Sequence, residues 1–283
     1  MTIIEHRLER GDIISWDPCP FTLSTGDDLA FLQRQRLTSA VHKNISYNPA
    51  NDTVSGVAQT DAERLRQLMG DFSARARAWL TELLPGYAGA WQPDRASLRT
   101  EEEATRKLRL TARNDLLHFD AFPSRPTRGH RILRLYVNIN PTDDRVWTTS
   151  ETFASVLERY GAQVGLPTHS PATWVRRLGQ GLLGLFQANA LDRTEYDDFM
   201  LRLHHFLKTN EKFQERSPRR LWHFKPGAAW LLFADAISHA ELRGQYALEH
   251  SFFIPPEALA LPDESPLAIL QRQCGAALLP HAA

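Results

Sequence analysis

The stretch HRILRLYVNINP, residues 130–141, constrains the fold more than any other part of the chain. A β-strand sends successive side chains to opposite faces, so parity assigns each residue to a side. Leu133, Leu135, Val137 and Ile139 fall on one side. Ile132, Arg134, Tyr136, Asn138 and Asn140 fall on the other. Pro141 ends the strand, since proline cannot donate to a ladder. A strand with one apolar face and one face of Arg, Tyr and Asn has two readings. It is a wall whose polar side lines a pocket, or a sheet whose polar side meets solvent.

The surroundings of this strand set the fold class. TDAERLRQLMGDFSARARAWLTELLPGY begins at Thr60 and reads as an amphipathic helix. Thr60 and Glu63 form a capping-box signature, and Leu65, Leu68, Met69, Phe72, Trp79, Leu80 and Leu83 recur at helical spacing. Pro85 and Gly86 stop it. VWTTSETF (146–153) reads as a further strand, and a helical insert runs from 154 to 215. Three more strands follow, Leu221 to Phe224, Trp230 to Ala234 and Gln245 to Ile254, and a short apolar helix lies near SPLAILQRQ. Strands, a helical insert, then strands again suit a closed or sandwiched β core with helices outside.

Composition excludes several classes. The chain has 283 residues, 42% of them apolar and 23% charged, so it can bury a large core and shows no sign of general disorder. Formal net charge is zero, which argues against a nucleic-acid partner. Cys19 and Cys274 stand near opposite ends with no C-x-x-C spacing, so reduced thiols and a cytoplasmic setting are expected. No signal-peptide pattern opens the sequence, and no apolar run is long enough to span a membrane.

Just before the strand, DLLHFDAFPSRP (115–126) contains His118 and Asp120. In a chain with 11 histidines, one His-x-Asp is close to chance. On a strand, however, residues two apart share a face and can supply two corners of one coordination octahedron. A distant imidazole would complete the two-His-one-carboxylate facial triad, a donor set suited to Fe(II) with open positions for a co-substrate and O₂. His239 and His250 are the candidates, and His239, after AWLLFAD, is preferred. The pair His239 and Glu241 is read as a chance repeat in a turn, and His223 as a packed strand residue. His204 and His205 lie about 100° apart on a helix and cannot easily share an ion.

LLHFDAFPSRPTRGHRILRLYVNINP, followed by RVW and ETF, resembles the Kdo hydroxylase family. HKNISYNP (42–49), LKTNEKFQ (207–214) and WLLFADAISHA (230–240) are similar to other segments of that family, so the likeness runs from about residue 40 to 254. The resemblance implies an Fe(II)/2-oxoglutarate-dependent dioxygenase. Such an enzyme hydroxylates C3 of 3-deoxy-D-manno-oct-2-ulosonic acid (Kdo) in Kdo-lipid A to give Ko, succinate and CO₂. It places the iron ligands on His118, Asp120 and His239. It implies a mainly β fold with helices, a double-stranded β-helix (jelly-roll, cupin-like) core in one domain, 1–283. Within it, 1–95 is an N-terminal helical elaboration, 96–153 and 216–254 the β core, and 154–215 the insert. O₂ is a co-substrate and ascorbate an expected stimulant. The acceptor implies peripheral contact with the inner face of the inner membrane.

One departure bears on the co-substrate. Many such dioxygenases hold the distal carboxylate of 2-oxoglutarate with an Arg about ten residues after the distal His, by charge-assisted bonds. Here Glu249 and His250 occupy that place, and no Arg or Lys lies between Arg243 and Arg272. Arg134 is the preferred cation, on the polar face with Tyr136 and Asn138, and Arg243 is the runner-up. For an anionic acceptor, Arg125, Arg128 and Arg131 follow the iron ligands directly, while Arg99, Arg106, Arg109 and Arg113 form a basic run. Lys43, Asn44 and Tyr47 are further polar candidates. Two rival readings are an oxygenase with another anionic substrate and a non-catalytic jelly-roll module that binds anionic glycolipid.

Overall fold

The computed structural model describes residues 1–38, 43–167 and 193–279. The middle of the expected insert, 168–192, lies outside the described residues. The strands are β1 (Ile14–Trp16), β2 (Ile45–Asn48), β3 (Thr53–Ser55), β4 (Gln92–Arg99), β5 (Arg131–Asn138), β6 (Arg145–Thr152), β7 (Arg220–Phe224), β8 (Ala229–Phe233), β9 (Ile237–Arg243) and β10 (Ala247–Ile254). The helices are α1 (Ile3–Glu9), α2 (Gly26–Arg34), α3 (Ala62–Leu83), α4 (Phe153–Val164), α5 (Glu195–Thr209), α6 (Glu211–Arg216) and α7 (Pro266–Cys274).

Two antiparallel sheets form the core. The larger has the order β1-β8-β5-β10-β4-β2-β3 and the smaller β7-β6-β9. The crossovers and the pairing of β5 between β8 and β10 are those of a jelly roll. Strand β5 is buried along its whole length, which selects the pocket-wall reading of its polar face. Leu133, Leu135 and Val137 join the apolar cluster beneath α3, with Leu65, Leu68, Met69, Phe72, Ala76 and Leu80. Tyr136 points the other way, into the space between the sheets, where its ring meets Trp147 of β6 at 4.7 Å. Each fully buried leucine on the α3 stripe contributes roughly 1.5–3 kcal/mol by leaving water.

Local signals explain most boundaries, and three differ. Helix α3 begins after Asp61 without a side-chain cap, so the Thr60–Glu63 box does not form. Glu63 instead binds Arg66 and Gln67 in the first turn. Residues 1–95 are not only helical, because β1, β2, β3 and the start of β4 extend the larger sheet. Three of those strands have three or four residues, too few to show alternation. Most consequential, residues 237–243 form β9 rather than a turn. The tight connection from β8 contains neither Gly nor Pro and closes with Ala236 N–H donating to Phe233 O at 3.0 Å. His223 of β7 also differs from expectation, being exposed rather than packed.

Leu80→Ala empties a fully buried site beneath the larger sheet. Urea denaturation is expected to show a loss of about 2–5 kcal/mol. Glu82→Ala on the exposed face of the same helix should stay within about 0.5 kcal/mol of the parent.

Candidate metal centre

His118 and His239 face each other across a two-bond antiparallel bridge. His118 N–H donates to His239 O at 3.0 Å, and His239 N–H donates to His118 O at 2.9 Å. Asp120 is held by its own N–H, which donates to Ala234 O at 2.9 Å. Strand β9, the turn before it and the segment before β5 therefore fix all three residues by backbone bonds. His118 Nε2 lies 3.5 Å and His239 Nε2 3.8 Å from Asp120 Oδ1. The three donor atoms fall within 4.8 Å of one another, and all three residues are buried.

The histidine tautomers suit a cation. His118 Nδ1 donates to Leu116 O at 2.7 Å and His239 Nδ1 to Ile237 O at 3.1 Å. With the proton on Nδ1, each Nε2 turns a lone pair toward the common point, the arrangement by which metal-bound imidazoles are oriented. Trp147 stacks on His239 at 5.6 Å with an interplanar angle of 11°. Burial first, then the nearby Lys208 charge, pushes the His118 imidazolium well below its ordinary range. Burial likewise lowers His239, against the opposing pull of Asp120. Both rings are thus neutral at neutral pH, the form that can ligate a metal. Burial opposes ionisation of Asp120, but the Arg134 guanidinium outweighs it and holds the carboxyl well below the usual carboxylate range. Two neutral imidazoles and one anionic oxygen, with no thiolate, match Fe(II) chemistry.

The polar face of β5 and its neighbours carries a buried ion network around this site. Arg134 bridges Asp120 and Glu249. Arg99 Nε donates to Glu249 Oε2 at 2.6 Å, and its Nη1 lies 2.9 Å from Glu241 Oε1. Arg145 Nη2 reaches Glu241 Oε2 at 2.5 Å, and Arg106 Nη1 reaches Glu103 Oε1 at 3.3 Å. Tyr136 Oη and Arg134 Nε are buried without a hydrogen-bond partner. The Tyr136 ring lies beneath both Arg99, at 5.5 Å, and Arg134, at 5.2 Å. Arg134 sits beside Asp120 and Tyr136 beside Arg134, and the two orphaned donors are suited to an anionic co-substrate.

The remaining sequence candidates fare unequally. His118, Asp120 and His239 come together. His250 does not, because register places it opposite Leu135 and Ala96, on the outer apolar face. There its Nε2 meets Ser73 Oγ of α3 at 2.8 Å, and burial lowers its pKa to about 3. Asn138 spends its amide on Asp143 O and Phe224 O, and its Oδ1 accepts from Asn140 N–H. It braces the end of β5 rather than facing the site. Arg243 is exposed at the end of β9. Arg125 pairs with Asp94 and lies over Phe122 at 4.4 Å. Arg128 is exposed, and its N–H donates to Asp197 Oδ1 at 3.0 Å. Arg131 is fully buried, with Nε on Asp235 Oδ2 at 2.8 Å, so the expected substrate contact is a structural ion pair. Arg99, expected on a basic surface run, is interior instead. Tyr47 packs beneath α3 and donates to Asp52.

Helix α5 adds residues whose role sequence reasoning does not reach. His204 Nδ1 donates to Phe119 O at 2.7 Å, between the two ligands, and its ring lies 5.0 Å from that of His118. Lys208, one turn later, is 3% exposed. The signal was the spacing of four between them, which shares one helix face. Nothing local says that this face docks on His118.

Over residues 2–277 the chain matches the family described as 3-deoxy-D-manno-oct-2-ulosonic acid (Kdo) hydroxylase. It is also similar to solved structures of the Kdo hydroxylase KdoO, a non-heme Fe(II) alphaketoglutarate dependent dioxygenase. The cobalt(II) complex is 32% identical with a TM-score of 0.87, covering 99% of this chain and 92% of that one. The complex with alphaketoglutarate and Fe(III) is 31% identical with a TM-score of 0.85 and the same coverage, 99% and 92%. The apo structure is 32% identical with a TM-score of 0.86, again covering 99% and 92%. No curated protein matches the chain.

His239→Gln is expected to abolish stoichiometric Co(II) binding, measured by metal analysis after gel filtration. His250→Gln should keep the metal and lose about 1–3 kcal/mol of stability from its broken bond to Ser73. The reverse pattern would move the third ligand to β10.

Proposed function

The chain belongs to the Kdo hydroxylase family, and we propose that it hydroxylates C3 of Kdo carried on lipid A, with Fe(II), 2-oxoglutarate and O₂. The observation that carries this reading is the buried convergence of His118, Asp120 and His239, in a chain matched by the family over residues 2–277. His118 Nε2, His239 Nε2 and Asp120 Oδ1 would hold the iron. When bound, iron with 2-oxoglutarate and O₂ supplies the oxidising power that turns a C–H bond into C–OH, with succinate and CO₂ as the other products.

The protein's own contribution is orientation and exclusion. Arg134 keeps Asp120 anionic and presents Nε to the co-substrate, and Tyr136 offers its hydroxyl beside it. Together they are the proposed anchor for 2-oxoglutarate. Tyr136, Trp147, Trp230 and Phe224 stack into a buried aromatic wall next to His239, which keeps water from that end of the site. The single-domain reading, with β core and insert as delimited above, belongs to the same proposal.

Lipid A as carrier and contact with a membrane surface in the cytoplasm are the finer part of this reading. Lys107, Arg109 and Leu110 support it, exposed on the loop that leads to His118. Basic side chains around an apolar one suit an anionic bilayer. No helix among the described residues is long and apolar enough to cross a membrane.

Mass spectrometry of Kdo-lipid A incubated with protein, Fe(II), 2-oxoglutarate and O₂ tests the function. A gain of one oxygen, dependent on 2-oxoglutarate, is expected. His118→Ala and Asp120→Ala should each release no succinate while keeping the parent far-ultraviolet circular dichroism. Full turnover by either variant would sink the ligand assignment, and succinate release without modified Kdo would point to another acceptor.

A further inference from the structure

The buried charges around the metal centre balance in pairs, with one group left over. Arg99, Arg106, Arg134 and Arg145 are four cations, and Glu103, Asp120, Glu241 and Glu249 are four anions, so the set is neutral. A divalent iron and the two carboxylates of 2-oxoglutarate would cancel in turn. Lys208 stands outside this balance. It is 3% exposed, and its Nζ makes one long hydrogen bond, to Thr111 O at 3.3 Å. Among the described residues no carboxylate lies within ion-pair distance of it. A buried amine with so few partners is costly to charge, and an anion arriving beside it would relieve that cost.

Its surroundings point to the acceptor side of the site. Lys208 lies on the α5 face that also carries His204, whose ring abuts His118. Arg134 and Tyr136 approach the centre from β5 through Asp120, whereas Lys208 approaches from the helix past His118. A second ammonium is near. Lys43 is exposed overall, but its Nζ end rests on Oδ1 of the buried Asn114 at 2.6 Å. Burial first, and then Lys43, lower Lys208 to about 7 against the more distant pull of Asp120, Glu241 and Asp115, and burial lowers Lys43 to about 8. Both values rise again once an anion joins them.

We propose that Lys208, supported by Lys43, binds the carboxylate of the acidic sugar acceptor and so sets which ring carbon faces the iron. The inference rests on the function proposed above and concerns this chain's own residues. One carboxylate between two ammonium groups offsets their mutual repulsion and the burial of Lys208. A neutral sugar would leave that cost in place, so the subsite selects an acid.

The test uses the full chain loaded with Co(II) and compares free Kdo, its methyl ester and 2-oxoglutarate as ligands by calorimetry. The parent should prefer the acid to the ester by about tenfold or more, the scale of one charge-assisted bond. Lys208→Met should erase that preference while leaving 2-oxoglutarate affinity and Co(II) content unchanged, and Lys208→Arg should restore part of it. Lys43→Met should reduce it by a smaller factor and serves as the readout if Lys208→Met fails to fold. An unchanged preference for the acid in Lys208→Met overturns the inference. So does a loss confined to 2-oxoglutarate, which would assign the subsite to the co-substrate. If the parent hydroxylates no Kdo, the proposed function fails instead, and that outcome is separate from these.

Discussion

The interior of this protein depends on one guanidinium, that of Arg134, buried between Asp120 and Glu249. A carboxylate enclosed without a counter-charge takes up a proton and ceases to be a metal ligand. Arg134 prevents that for Asp120. Glu249 then shares Arg134 and passes the demand to Arg99, which joins it to Glu241, which holds Arg145. Arg99, Arg134 and Glu249 stand on the larger sheet, Glu241 and Arg145 on the smaller. The network therefore spans the gap between layers, where apolar contacts alone are non-directional. Breaking one partner would leave a charge uncompensated at about 3–5 kcal/mol, so its members stand or fall together.

The same network explains the departure from the usual co-substrate anchor. The distal strand carries Glu249, an acid, at the inward position where an Arg is expected. In the proposed anchor the cation is Arg134 on the adjacent strand, which Glu249 pairs with directly. Parity does the rest. His250, one residue on, belongs to the opposite face with Leu135 and hydrogen-bonds α3. One step along β10 separates a group that tunes the centre from one that packs the scaffold.

Much of this was legible because it is local. The alternation in β5 gave both faces correctly, and His118-x-Asp120 needed only a strand-like backbone to converge. The strand before His239 favoured it over His250, and the resemblance to a known family agreed and added the substrate. What escaped was set by distance along the chain. Arg99 and Glu249 meet across 150 residues, and no window of sequence shows that a charge in an apparently basic run is interior. Arg131 was misplaced for the same reason, since its partner Asp235 lies 104 residues away. Strand β9 was missed because its entering turn uses no Gly or Pro. The α5 face was missed because docking, not periodicity, decides which side of a helix meets a site.

The two-bond bridge between His118 and His239 carries one more meaning. The spacing of the two imidazoles is a matter of ladder register rather than of side-chain freedom. A slip of β9 by one residue would bring Ser238 or Ala240 opposite His118 and turn the imidazole to the other face. With the proposed ligand set, metal affinity becomes a gauge of strand alignment. On that proposal, a substitution far from His118 and His239 that shifts β9 would register first as weaker metal binding, before any loss of fold.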